Sequence, residues 1–281
     1  METSFEETIQ QHWAPDPPGT ILSRIKQGLL ELGKDIDALT QDDLLAVDEF
    51  HIRGREATTE LATLADVSNE DRVIDLGSGL GGPSRYLAST TGCCVDGIDL
   101  TAEYCAIATE LARRVGLAAN INYQRANALE LPFGEDTFDL AWTQHISMNI
   151  QDKARFFSEM FRILKVGGRA AIYDPICGSG EPIRFPVPWA RDDSTNFLID
   201  ANKTRRHIEK AGFRIEKWHD VSEKSVAWFE KNAKLAAEKG PQALGLHLLL
   251  GSDWPVMAKN MAENIAAGSI SVIQVVARKG S

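Results

Sequence analysis

Apolar and polar positions along the chain change rhythm near residue 70. Before that point the pattern is helical: Ile21, Leu22, Ile25, Leu29, Leu30 and Leu32 recur at roughly helical spacing, after a break at Pro15-Asp16-Pro17-Pro18. A second helix is predicted over residues 47–64, ahead of the turn-like Ser68-Asn69-Glu70-Asp71. Then Arg72-Val73-Ile74-Asp75-Leu76 runs into Gly77-Ser78-Gly79-Leu80-Gly81-Gly82, the pattern of a buried strand entering a Gly-rich turn. Helices follow over 83–90, 102–115 and 152–164, and strands over 93–100, 121–125, 138–143 and 169–174, with a turn at 165–168. Strands alternating with helices at this spacing predict a doubly wound, parallel α/β sheet.

After residue 174 the regularity loosens. Residues 175–188 are rich in Gly and Pro and are expected to form a long loop over the sheet's edge. A helix over 203–211, a strand over 213–221, a helix over 226–239 and a closing strand over 270–277 complete the pattern. This divides the chain into an N-terminal helical segment, 1–68, and a sheet domain, 69–281, with cap elements at about 176–202 and 222–265. No internal repeat or low-complexity segment interrupts it.

Composition removes several function classes. Forty acidic against 30 basic residues give a formal net charge of −10, which argues against holding nucleic acid by neutralising its phosphates. No apolar run approaches the roughly 18 residues needed to span a bilayer. The acidic opening, Met1 to Glu7, lacks the basic-then-apolar order of a signal peptide. Cys93, Cys94, Cys105 and Cys177 form no C-x-x-C pair, and adjacent strand residues point to opposite faces. Disulfides and a metal cluster are therefore not expected, and a reducing cytoplasm is.

The sharpest chemical signal is Asp75-Leu76-Gly77-Ser78-Gly79-Leu80-Gly81. Its glycines let backbone pass close to a ligand, and a dinucleotide enzyme would use the same geometry to seat a pyrophosphate. Asp99 ends the next strand, 24 positions after Asp75, where an acidic side chain can accept both hydroxyls of a ribose. After the third strand comes Ala126-Asn127-Ala128-Leu129-Glu130-Leu131-Pro132-Phe133. With Phe138-Asp139 and Leu164-Lys165-Val166-Gly167-Gly168, these motifs resemble the class I S-adenosylmethionine-dependent methyltransferases, over about residues 70–174. The Leu76 to Ala88 turn looks particularly like that of sarcosine/dimethylglycine N-methyltransferases, with phosphoethanolamine N-methyltransferases, tocopherol-type and sterol-type enzymes carrying related turns. A nicotinamide enzyme fits the Asn127-Ala128 element and the Gly167-Gly168 turn poorly.

The resemblance implies a Rossmann-like sheet of seven mostly parallel strands, N-terminal helices over the cofactor, a helical cap, and S-adenosyl-L-methionine as cofactor. It places Gly77 and Gly79 against the methionine part with Asp75 nearby, Asp99 on the ribose, Leu100 against the adenine, Asn127 and Ala128 at the adenine edge, and Gln144 at the methionine end. Where many relatives have Asp, this chain has Asn127, so an amide oxygen would meet the adenine amino group. Asn127 capping a turn and Asp99 as a solvated strand-end acid are the plainer readings of the same residues.

Methyl transfer needs an attacking atom in line with the breaking S–C bond, and a base only when the acceptor must lose a proton. Acceptor-handling residues are expected past the fourth and fifth strands. His145 is the candidate base or polar anchor. Met148, Tyr173 and Asp174 are candidates to reach the reacting centre. Phe50 and His51 could close the pocket, Arg53 or Arg55 could bind a carboxylate or phosphate, and Trp189 could form an aromatic wall or anchor its loop. The function expected is methyl transfer to a small-molecule acceptor, with amine nitrogen favoured. The alternatives are C- or O-methylation of a quinone-like, isoprenoid or phenolic acceptor, and a cofactor-binding sensor or partner subunit. The expected partner is that acceptor, without nucleic acid or membrane span, and with a homodimer left open.

Overall fold

A computed structural model describes residues 5–240 and 242–280; the opening Met1-Glu2-Thr3-Ser4 lies outside the described residues, as does Pro241 within the expected cap. Four helices precede the sheet: α1 (Phe5–Trp13), α2 (Thr20–Glu31), α3 (Leu45–Asp48) and α4 (Gly54–Ala65). The sheet region then alternates through β1 (Arg72–Leu76), α5 (Gly82–Thr91), β2 (Cys94–Asp99), α6 (Ala102–Arg114), β3 (Ile121–Arg125), β4 (Phe138–Gln144), α7 (Lys153–Ile163) and β5 (Leu164–Cys177). Next come α8 (Ala201–Lys210), β6 (Phe213–Asp220), α9 (Ser222–Lys239), α10 (His247–Leu250), α11 (Trp254–Ala266) and β7 (Ile270–Lys279).

The seven strands lie in the order β3-β2-β1-β4-β5-β7-β6. All neighbours from β3 to β5 pair in parallel, and β7 runs antiparallel between β5 and β6. Helices cover both faces, which is why β1 and β4 read as continuous apolar runs rather than alternating ones. One apolar layer centres on Leu61, Leu140, Trp142 and Val276, and the other on Ile74, Phe138, Phe156 and Ile172. A third cluster packs Ile21, Ile25 and Leu29 of α2 against Leu80 and against Ile107 and Leu111 of α6. The order of the strands reverses between β1 and β4, so the crevice at their carboxyl ends is the natural ligand position.

Three expectations change. The helix expected over 47–64 is two helices, because α3 stops at Asp48 and the chain turns through Glu49–Arg53 before α4 begins. Arg53 and Gly54 take left-handed backbone there, φ +68° and +45°. The buried Glu49 carboxylate accepts from Arg55 Nε (2.6 Å), His51 Nε2 (2.8 Å) and Thr58 Oγ1 (2.9 Å), so side-chain bonds hold the chain where a helix would otherwise continue. The strand expected over 169–174 extends at both ends to Leu164–Cys177. Pro175, Ile176 and Cys177 pair with Val272, Ser271 and Ile270, so the predicted loop begins later, and β5 is interior rather than at the sheet's edge. The closing strand is longer too, running from Ile270 to Lys279. Among the described residues no helix is long and apolar enough to cross a membrane.

Candidate active site

A cavity of about 740 Å³ opens at the carboxyl ends of β1, β2 and β4, in the upper part of the roughly 300–1,000 Å³ typical of small-molecule sites. Its floor on one side is the glycine turn. Gly77 and Ser78 donate their N–H groups to the Ile98 carbonyl, both at 2.9 Å, which locks the turn to β2. Gly77 and Gly79 have φ of +73° and +54°, a region that disfavours side chains. A Cβ on Gly77 would lie 2.8 Å from Ile146 Cδ1, and one on Gly79 would lie 3.3 Å from the Phe50 ring. The backbone is bare where the cavity meets it.

Two carboxylates flank that turn. Asp99 Oδ2 accepts from Gly79 N–H (3.0 Å) and its Oδ1 from Thr101 N–H (2.8 Å), so this strand-end acid also shapes the turn. Burial pushes its pKa up, with the two backbone bonds opposing. The Thr101 hydroxyl bonds the same carboxylate, and since a carboxylate has about four acceptor positions, these contacts leave part of it unused. Asp75 lies buried beside it and accepts from Ser84 Oγ at 2.5 Å. Burial lifts its pKa to about 7, Ser84 opposing and the charge of Asp99 adding.

Leu100 and Ala128 line the same end of the cavity. Asn127 does so while serving as the turn former of the plainer reading: its Oδ1 accepts from Leu129 N–H (2.9 Å). Its Nδ2 donates to Glu6 of α1 (2.6 Å), which closes that end with a helix the sequence pattern did not single out.

At the other end, β4 delivers Gln144 and His145. Gln144 Oε1 accepts from Trp142 Nε1 (2.9 Å), and its buried Nε2 has no partner. His145 takes left-handed backbone, φ +54°, unusual for a residue with a side chain. The surroundings hold it there. His145 N–H donates to the Tyr173 carbonyl (2.8 Å), and Asp174 Oδ1 accepts from Ile146 N–H (3.0 Å). Beneath, the buried Lys153 ammonium donates to the carbonyls of Ser147, Ile150 (2.5 Å) and Phe197 (2.8 Å). The His145 ring stacks on Tyr173 (5.3 Å, 28°) and sits 6.0 Å from the His51 ring. Its Nε2 is buried without a partner, and burial, aided by His51, holds the imidazole well below its usual pKa. At neutral pH this is an uncharged ring with an unoccupied nitrogen.

Phe50, His51, Met148 and Trp189 all line the cavity. Arg55 and Tyr173 do not. Arg55 is drawn away by Glu49 and lies over the Tyr86 ring (4.9 Å), while Arg53 makes two bonds to Glu60 (2.9 and 2.6 Å). The Tyr173 hydroxyl donates to the Ile52 carbonyl (2.9 Å), and burial pushes its pKa well above the usual phenol value, so it supports the His145 ring from behind. Asp174 is likewise a buried support, outside the lining.

Sequence reasoning missed most of the cap's contribution. Trp228 and Phe229 come from α9, and Trp254, Ala258 and Met261 from α11. The last three are spaced i, i+4, i+7, one face of a helix. That spacing was present in the sequence, but it marks a packed face equally well whether the neighbour is protein or ligand.

A Gly-rich turn and a strand-end acid at the switch point of such a sheet define a nucleotide-type ligand site. Residues 74–172 match the family model described as a methyltransferase domain. The chain is 29% identical to the methyltransferase GfsG of Streptomyces halstedii, over 65% of this chain and 67% of that one. Other curated relatives are matched over only 36–37% of their length, and named relatives include both O- and N-methyltransferases. Among solved structures, phosphoethanolamine N-methyltransferase 2 of Haemonchus contortus superposes with a TM-score of 0.77 at 18% identity, covering 100% of this chain and 61% of that one. The [4+2]-cyclase SpnF superposes with a TM-score of 0.69 at 20% identity, covering 99% and 97%. At these identities the likeness is one of fold.

Proposed function

We propose that this chain is an S-adenosylmethionine-dependent methyltransferase acting on a small-molecule acceptor. The observation that carries the reading is continuity. The bare glycine turn and Asp99 open into the same cavity that His145 and the tryptophans of the cap enclose at its other end. The residues present fit the cofactor: the side-chain-free backbone of Gly77 and Gly79 lines the cavity, and the Asp99 carboxylate beside it is not filled by its bonds to Gly79 and Thr101. Asp99 would hold the ribose, Leu100 and Ala128 the adenine, and the Gly77–Gly79 backbone with Gln144 the methionine end. When bound, S-adenosylmethionine supplies an electrophilic methyl carbon on a sulfonium.

The chain's own part is to exclude water, orient the acceptor and take up its proton. Burial and the aromatic cap do the first. The His145 ring lines the cavity and is held neutral by burial, the form that can accept a proton. An amine arriving neutral needs no such group, so this ring favours the hydroxyl alternative over the amine expected from sequence. A cytoplasmic setting goes with the reading, supported by four free cysteines.

The test is transfer of isotopically labelled methyl from S-adenosylmethionine to a panel of alcohols, phenols and amines. The expected result is S-adenosylhomocysteine formation that depends on an added acceptor, with a hydroxyl compound giving the fastest turnover. Tight S-adenosylhomocysteine binding without turnover on any acceptor would point instead to a protein that holds the cofactor for another purpose.

A further inference from the structure

The acceptor end of the cavity is built for a molecule without charge. Resting on the reading above, we infer that the acceptor is an uncharged, largely apolar compound, and that phosphorylated, carboxylated and cationic compounds are rejected.

No lysine or arginine lines the cavity among the described residues. The nearby buried cations are already committed: Arg53 to Glu60, Arg55 to Glu49, Arg85 to Asp48, and Lys153 to three backbone carbonyls. An anion entering the cavity would find no cationic partner, and a buried charge without a counter-ion is costly. The remaining donors are few. Trp189 Nε1 donates to Asn196 Oδ1 (3.1 Å), and His145 is held neutral by its burial.

The carboxylates are not at the acceptor end. Asp75 and Asp99 belong to β1 and β2, Asp48 is fixed to Arg85 of α5, and Glu6 bonds Asn127 beyond β3. All lie on the cofactor half of the sheet. Asp152 is at the exposed rim, capping α7 through Arg155 N–H (2.9 Å). Helices α9 and α11, packed over β7 on the other half, contribute Trp228, Phe229, Trp254, Ala258 and Met261, with no charged side chain of theirs in the wall. A cation there would gain ring faces but no counter-ion. An apolar body with one polar group directed at His145 satisfies every surface present.

Three probes with one ring system separate the cases: 1-naphthol, 1-naphthyl phosphate and 1-naphthylmethylammonium. Each is titrated calorimetrically into wild-type protein, with and without saturating S-adenosylhomocysteine. The expected result is naphthol binding at least tenfold more tightly than either charged probe. The variant Ala258→Lys, which places an ammonium on the wall at a partly exposed helix position, should narrow the gap for the phosphate at least fivefold. Phosphate binding as tight as naphthol, cation binding tighter than naphthol, or no naphthol binding to S-adenosylhomocysteine-loaded protein would each overturn the inference. An unchanged gap in Ala258→Lys would overturn the placement of the acceptor against α11. Failure of S-adenosylhomocysteine itself to bind would instead defeat the cofactor reading, while the order of the probes in unloaded protein would still report the charge preference.

Discussion

Replacing Asp99 by Asn tests the cofactor end, and the structure sets two magnitudes for it. Its two oxygens accept from Gly79 N–H (3.0 Å) and Thr101 N–H (2.8 Å). Asn can keep one of these bonds, but its amide NH2 must face the other N–H. Losing one charge-assisted bond costs about 1.5–3 kcal/mol, so unfolding should move down by roughly 3–12 °C, at 2–4 °C per kcal/mol. If the remaining acceptor positions serve the ribose, S-adenosylhomocysteine should also bind roughly ten- to a hundredfold more weakly.

A loosened turn alone would weaken binding as well, so the assay is a cycle. Wild type and Asp99→Asn are each titrated calorimetrically with S-adenosylhomocysteine and with its 2′,3′-dideoxy analogue. Wild type should discriminate strongly between the two ligands, and the variant should discriminate little. Equal discrimination in both folded proteins would refute the ribose contact. Equal affinity and equal stability would refute the turn contact too.

Asp48 and Arg85 form a fully buried ion pair at 2.6 Å that joins α3 to α5. Asp48→Ala leaves the guanidinium uncompensated and should cost about 3–5 kcal/mol in denaturant unfolding; a loss under 1 kcal/mol would contradict the pairing. Because burial holds His145 well below 6.5, its neutral, proton-accepting form persists into mildly acidic solution. The acid limb of kcat/KM that disappears in His145→Gln should therefore lie below pH 6.5, with the loss at neutral pH on the order of 10²–10⁴-fold for a hydroxyl acceptor; a limb at pH 7 or above would contradict the environment described. Gly77→Val puts a branched side chain at φ +73° against Ile146, a strain of about 1–3 kcal/mol. S-adenosylhomocysteine affinity should fall more than tenfold in a protein that still unfolds cooperatively, and unchanged affinity would remove the turn from the site.

The legible parts of the fold were those written locally. The apolar run of β1, its Gly-rich exit and the alternation through β5 needed only neighbours in sequence. The parts that were not legible depend on distant partners. The break after Asp48 is set by the bonds of Glu49 to His51, Arg55 and Thr58 and by the ion pair of Asp48 with Arg85, 37 residues later. The end of β5 is set by its pairing with β7, some ninety residues later. The same division governs the site. Residues tied to a turn or strand end, such as Gly77, Asp99 and His145, come together around one cavity. Arg55 and Tyr173 had the right chemistry nearby, but Glu49 and the Ile52 carbonyl claim them, and nothing local announced those partners. Trp228 and Trp254 were silent because an aromatic on a helix face reads as core until the fold shows a cavity beside it.

The central claim is that the crevice over β1 and β2 holds S-adenosylmethionine. Native mass spectrometry of the purified protein, before and after incubation with S-adenosylmethionine, tests it most directly. The account predicts a single mass increment of one adenosyl cofactor per chain, displaced by S-adenosylhomocysteine and sharply reduced in Asp99→Asn. A folded protein that shows no increment at millimolar S-adenosylmethionine, or one that Asp99→Asn leaves undiminished, would contradict it.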